Sequence, residues 1–467
     1  MKRITLLLST GLLFNPVLSV QNSFAAEQSV SIDKSSSLQS ANLNQRLNNV
    51  VNEKMPVAKT VASTQTAAEI VADLNAQFIQ KSGLDQSTDG VEVFSAVAPI
   101  QRNSSSSEWG MARQLAFEQA FLDAKAEFIL SFAGRTIAKT ISNIEQDNSS
   151  DAHKFDDSQL PLSDSLSGYY KKYMALTNAK LDEKLKDQGI DPSTLTRDPE
   201  QRKRLAFNQL LTKTVTQGFG DLAGVMPVKT FIVEHNGEQA IGVVAIYSPK
   251  IKALVLDLRA GNLPALSGDG GQAVETFVNK SAQSLSNDFG IRLVFDAQGK
   301  PVILSYGQAG YNSNNQNAVI SAGQVAQNQA EQFARANFSS FINGTLNIKD
   351  SSEMGQEISQ ELVKNLATGQ SSQQNKNSII NRLKNQMTQF SNASLEGVKT
   401  IKKWRFDVAN SNAKLTGVVL AWTQNQYKNA ENVKNDNTEL LTSASTGMQN
   451  DVTNVSQSDD NPYLHQF

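Results

Sequence analysis

The sequence predicts an α+β fold: two tandem copies of a small module in which long helices pack on an antiparallel sheet, flanked by disordered termini. Three observations carry that expectation. The stretch Ala116 to Gly134, AFEQAFLDAKAEFILSFAG, returns ungapped as Ala326 to Gly344, AQNQAEQFARANFSSFING. The constant offset of 210 keeps Ala116/Ala326, Gln119/Gln329, Ala120/Ala330, Ala124/Ala334, Ala126/Ala336, Phe128/Phe338 and Gly134/Gly344 identical. A hairpin is also written twice, as Gly224 to Tyr247 and Gly397 to Trp422, and both ends of the chain lose their apolar period. Self-similarity at this scale decides the domain count before any other reading.

The first 25 residues have the form of a secretory signal: Lys2 and Arg3, the apolar run Ile4 to Phe14, then Ser23-Phe24-Ala25 with small residues where a signal peptidase looks. Cleavage after Ala25 and a periplasmic or extracellular location are expected. The apolar run is too short to span a bilayer, and no later stretch approaches the roughly 20 apolar residues a membrane helix needs. Residues 26–65, rich in Ser, Gln, Asn and Val, read as a flexible leader.

The first module is expected over 66–253. TAAEIVADLNAQFIQ (Thr66 to Gln80) spaces Ile70, Val71, Leu74 and Phe78 as an amphipathic helix, and GVEVFSAVAPI (Gly90 to Ile100) has the content of a strand. The repeated helix starts near Trp109. Ala116, Ala120 and Ala124 form one stripe and Phe117, Phe121, Phe128 and Phe132 the stripe beside it, a face that suits close approach to a sheet. Glu127 falls inside that arc without an assignable partner. Between the long helix and the hairpin the first copy carries about 37 extra residues, placed at 149–192 as a helical insertion, with GYYKKYMALTNAKLDEKLKDQG (Gly168 to Gly189) as an exposed helix. A further helix, Glu200 to Gln217, leads into the hairpin, whose turn is at Asn236-Gly237.

The second module, with its linker, is expected over 254–428. Leu263 to Gly271 is a loop, Ala273 to Leu285 matches the leading helix of the first copy, and the strand pair Ile291 to Gly307 aligns its second half with GVEVFSAV at offset 210. The second hairpin matches the first at offset 173 before its turn and 175 after it. Residues 429–467 read as a disordered tail, with Pro462-Tyr463-Leu464 as a candidate docking segment.

Composition narrows function. The 43 basic and 45 acidic residues generate no long-range field for a polyanion, so nucleic acid is not an expected partner. The lack of cysteine removes disulfides, thiolate metal sites, cysteine nucleophiles and the lipid-bearing cysteine of a lipoprotein. His153, His235 and His465 lack a second ligand at helical spacing and read as surface histidines. Asp85/Asp89 with Gly90 resembles the start of a calcium loop, but Ala96 stands where a bidentate Glu is required, so a plain turn is the reading. Ser267 to Gly271 is Gly-rich without leading from a strand into a helix with a lysine, and serves as a linker. No G-x-S-x-G elbow is present. No catalytic residue, cofactor or metal is therefore expected, and a hydrolase is the least supported class. The one candidate contact surface is Tyr169, Tyr170, Lys171, Lys172 and Tyr173, followed by Arg202, Lys203 and Arg204. Asp182, Glu183 and Asp187 offset its charge, and its aromatics suit a protein more than a nucleic acid.

A strand (Val91 to Ile100), then Ala112-Arg113 and a helix written A-x(3)-A-x(3)-A-x-A-x-F with Lys125 or Arg335, then a Gly-Val hairpin, resembles the LPP20 family of bacterial envelope proteins. The pattern is also similar to the N-terminal domain of the flagellar assembly protein FlgT, which belongs with them. The resemblance covers about half of the chain beyond the signal. Family members are commonly lipoproteins, a feature this cysteine-free chain does not share, and the later domains of the flagellar protein have no counterpart. What the resemblance implies is a non-enzymatic envelope protein, in some settings appendage-associated, whose partners are other envelope proteins. The alternative is a secreted adhesin or other binding protein using the helical insertion of the first module. A doubled module presents two similar surfaces, which adds a homo-oligomer to the expected partners.

Overall fold

The computed structural model describes residues 65–86, 90–106, 108–146, 162–175, 198–312, 316–343, 348–368, 372–390, 397–408, 413–428 and 455–459. The expected signal, nearly all of the leader, most of the insertion and most of the tail lie outside them. Thr66 opens helix α1 (Ala67–Ser82) with a capping box: its hydroxyl accepts from the Glu69 N–H at 3.2 Å while the Glu69 carboxylate accepts from the Thr66 N–H at 2.8 Å. Strand β1 (Glu92–Pro99) and the long helix α2 (Trp109–Gln146) follow. After α3 (Leu162–Ala175) and α4 (Pro199–Asp221) comes the hairpin β2 (Val225–His235) and β3 (Glu238–Tyr247). Asn236 and Gly237 both take positive φ in its turn, 53° and 81°, as a two-residue primed turn requires. Helix α5 (Pro249–Arg259) ends the first half.

The second half runs β4 (Gly290–Phe295), β5 (Pro301–Asn312), α6 (Gln316–Asn343), α7 (Ile348–Thr368), α8 (Ser372–Phe390), β6 (Val398–Asp407) and β7 (Ala413–Thr423), with a short β8 (Val455–Gln457) inside the expected tail. Two antiparallel sheets result, ordered β1-β3-β2-β8 and β4-β5-β7-β6. Leaving aside β8 and β4, the orders β1-β3-β2 and β5-β7-β6 are the same.

The likeness of the two sheets extends to register. Glu92 pairs with Tyr247 and Val97 with Gly242 in the first sheet; Ile303 pairs with Trp422 and Gln308 with Gly417 in the second. Each edge strand also carries an irregularity at the same place, between Pro227 and Lys229 in β2 and between Thr400 and Lys402 in β6. The strand offset that these pairs define is 211, which corrects the expected 210. A slip of one residue turns every strand side chain to the other face, so the correction decides what faces the helices. Its cause is a connection from strand to long helix one residue shorter in the second copy.

Each sheet is covered on both faces. On the first, α1 presses on β3 at Gly242, where an added Cβ would lie 2.3 Å from Val71. On the opposite face Phe128 of α2 meets Phe94 edge-on at 5.5 Å and stacks on Tyr247 at 4.9 Å. On the second sheet α6 lies so close to Gly307 that an added Cβ would be 2.0 Å from the Ala330 carbonyl oxygen. The alanine stripes sit as their spacing predicts: Ala120, Ala124, Ala330 and Ala334 are fully buried. Glu127, unplaced by sequence, ion-pairs with Lys376 of α8 at 3.7 Å.

The halves are interlocked. The start of α2 crosses onto the second sheet, where a Cβ on Gly110 would meet the Gly310 nitrogen at 2.3 Å, and Phe117 stacks on Phe289 at 5.2 Å. Helix α4 runs along α7, with the Thr212 and Ser359 hydroxyls 2.5 Å apart. One apolar core joins both sheets, and all described residues fall within one unit, Leu43–Phe467.

Two further expectations change. Ala273 to Leu285 is not a continuous helix: a 3-10 segment (Val274–Val278) is separated from a single turn (Ala282–Leu285) by Asn279-Lys280-Ser281, and Ser281 caps the second piece. The tyrosines of the insertion face inward on α3. Tyr170 and Tyr173 pack edge-on against Phe207 of α4 at 5.1 and 5.2 Å, and Tyr169 is buried beside them.

Candidate functional site

A polar cluster lies where β2 meets β4. The backbone of Ser286-Asn287-Asp288, leading into β4, is gripped from three elements. Arg113 of α2 donates to the Ser286 carbonyl at 2.8 Å, Gln308 of β5 donates to the same oxygen at 3.1 Å, and Thr230 of β2 donates to the Asn287 carbonyl at 2.8 Å. Arg113 is buried, with its guanidinium 4.7 Å from the Trp109 ring, and burial lowers it to about 9. It remains cationic at neutral pH and acts as a clamp between the halves.

That grip fixes Asp288, whose buried carboxylate pairs with Lys280 at 3.3 Å and Arg292 at 2.8 Å. Here the break in the expected helix has a use, because Lys280 lies in it. The Arg292 guanidinium sits 5.6 Å over the Tyr306 ring. Burial lowers the Arg292 affinity for its proton, and the carboxylates of Asp288 and Asp459 more than restore it. Burial likewise pushes the Tyr306 phenol up, so the ring is a neutral platform.

Onto this platform comes β8. Phe231, Ile232 and Val233 of β2 pair with Gln457, Ser456 and Val455. Beyond the ladder, the Ser458 hydroxyl accepts from the Thr230 N–H at 2.9 Å, the Ser458 N–H donates to the Thr230 carbonyl at 3.0 Å, and Lys229 donates to the Ser458 carbonyl at 2.6 Å. Asp459 ends the segment, 2.5 Å from Lys280, while Arg292 donates to its backbone carbonyl at 3.1 Å. Burial raises the Asp459 carboxyl, but Lys280, Arg292 and Lys229 outweigh it and hold it below the usual range. The arrangement receives an extended segment by backbone pairing and reads one carboxylate at its end, the mode known as strand addition.

A carboxyl lowered in the bound state contributes only above its unbound pKa, about 3.9, and loses that contribution as pH falls through the bound value. Asp459→Asn at pH 7 is expected to reproduce the acidic state, cutting amide protection of Val455–Asp459 by about fivefold, the scale of a half-exposed ion pair. Hydrogen exchange reads this directly. Unchanged protection would show that backbone pairing alone holds the strand.

Of the surface expected from sequence, Lys171, Lys172 and Arg204 are exposed. Lys203 turns inward to donate to the Met174 carbonyl at 2.8 Å, tying α4 to the end of α3. His153, His465, Asp182, Glu183 and Asp187 lie outside the described residues. Among the described residues no group of three His, Cys, Asp or Glu side chains is arranged to hold a metal, and no helix is long and apolar enough to cross a membrane. A cavity of about 20 Å³ between the halves is lined by Glu118, Lys125, Pro227, Asn337 and Ser340 among others. It is far smaller than the several hundred Å³ of a small-molecule site, a size reached by open surface depressions such as the one of about 530 Å³ lined by Thr66, Gln101, Arg102, Glu238 and Gln239. The strand site was missed from sequence because Val455-Ser456-Gln457-Ser458-Asp459 has one apolar residue; its fit is to backbone and charge, which leave no hydrophobic period.

A domain of unknown function, DUF6844, matches residues 166–260, from α3 through α5. The crystal structure of hypothetical protein FTT1539c from Francisella tularensis is similar at 30% identity over 82% of this chain and 98% of that one, with a TM-score of 0.54. The chain belongs to the family of that Francisella protein. No curated protein matches it.

Proposed function

We propose that this chain is an exported, non-enzymatic assembly protein of the bacterial cell envelope that works through protein contacts, with the β2 edge as its binding site. The observation that carries this reading is an edge strand occupied by a short, separately delivered segment and read out by backbone hydrogen bonds and three cations. The signal-like first 25 residues and the resemblance to LPP20 proteins support the compartment. The inward-facing tyrosines count against the alternative in which the insertion is an adhesive surface, since the rings of Tyr170 and Tyr173 are occupied by Phe207 and Tyr169 is buried.

Fractionation of tagged protein tests the reading, with mass spectrometry of the N-terminus. The expected result is recovery with the envelope or periplasm and a chain starting at Ala26. A chain retaining residues 1–25 and recovered from the cytoplasm would overturn it.

A further inference from the structure

We propose that β8 is exchangeable: the β2 edge of one copy takes Val455–Asp459 of a second copy, so that copies of this chain link tail to edge. The inference rests on the assembly reading above and names its partner.

Three features argue for a second copy. The seat is specific, since pairing of Phe231, Ile232 and Val233 is followed by the Ser458 and Asp459 contacts in a fixed order, and the chain itself carries the matching segment. Withdrawing Asp459 leaves Lys280 and Arg292 to share Asp288, so the vacated edge favours an acidic occupant over an apolar one. The 26 residues between Lys428 and Val455 allow a reach of up to about 90 Å when extended.

Contacts made within a chain and between chains are the same, so their energies cancel and concentration decides. A tether of this length supplies an effective concentration on the order of 1 mM. Dilute protein therefore closes on itself, and protein crowded in an assembly exchanges. Each linked copy still offers a free tail or a free edge, which makes the contact head-to-tail and able to extend.

The lack of native cysteine makes the test direct. Ile232 and Ser456 are register partners. Two full-length chains, one carrying Ile232→Cys and the other Ser456→Cys, are mixed under mild oxidation at about 1 mM and about 10 µM. A covalent heterodimer at the higher concentration that falls away on dilution is expected, and a chain bearing both substitutions should close on itself when dilute and give a ladder when concentrated. Internal closure without heterodimer at either concentration would overturn exchange. The pair Val233→Cys and Val455→Cys repeats the experiment in case Ile232→Cys impairs folding. If exchange fails while the protein fractionates with the envelope, exchange alone is lost; a cytoplasmic chain that exchanges removes the compartment and keeps the contact.

Discussion

Gly307→Ala is expected to lower stability by about 3 kcal/mol, at the upper end of what overpacking costs. The added methyl would sit 2.0 Å from the Ala330 carbonyl oxygen and 2.5 Å from the Ala334 nitrogen. Both are helix backbone, so no side chain can swing away. The helix cannot easily lift either, because Ser305 donates to the Ala334 carbonyl at 2.7 Å and Asn337 donates to the Tyr306 carbonyl at 2.9 Å. The equivalent position in the first sheet already holds alanine, Ala96, and so serves as a control. Ala96→Gly should cost no more than about 1 kcal/mol. Urea denaturation measures both; a loss below about 0.5 kcal/mol for Gly307→Ala would show that α6 stands further from the sheet.

Lys125→Met is expected to act in the opposite direction. Lys125 is buried 4.5 Å from the Phe121 ring, and burial lowers its ammonium to about 8. In the unfolded chain the group titrates near 10.4, so between about pH 8 and 10 the unfolded state holds more protons. Stability must therefore rise with pH across that window. At pH 7 the buried charge costs on the order of 3 kcal/mol. Methionine has similar length and no charge, so the variant should gain stability of that order at pH 7 and lose the rise between pH 8 and 10. Melting curves at pH 7 and 10 decide it, and a variant weaker than the native chain at pH 7 would reveal a stabilising partner for the ammonium.

These two positions also show what sequence could and could not reveal. The alanine stripe around Ala330 and Ala334 was legible because close packing demands small side chains at a helical period. Its target, Gly307, is matched to the wrong partner by the helix offset of 210, because the strand before the helix obeys 211. Lys125 and Arg335 align, yet one is buried and the other is exposed and paired with Glu331 at 2.7 Å. Alignment reports common descent, and the neighbour across the interface sets the environment. Tyr169, Tyr170 and Tyr173 looked like a surface because lysines interrupt them; helical spacing turns the rings to one side and Lys171 and Lys172 to the other. The candidate site was almost wholly illegible. It is assembled from Arg113, Thr230, Lys280, Arg292 and Asp459, residues far apart in the chain and individually ordinary, and only the interlocking of the two halves brings them together.

Lys229 and the carbonyl it holds are 229 positions apart. A chain that emerges from the export pathway N-terminus first thus presents β2, and then the entire second half, before its own closing strand arrives. Throughout that interval the edge is open to any finished neighbour whose tail is already available. Timing, and not affinity alone, then governs whose strand arrives first, and chains made close together are the ones most prone to be joined.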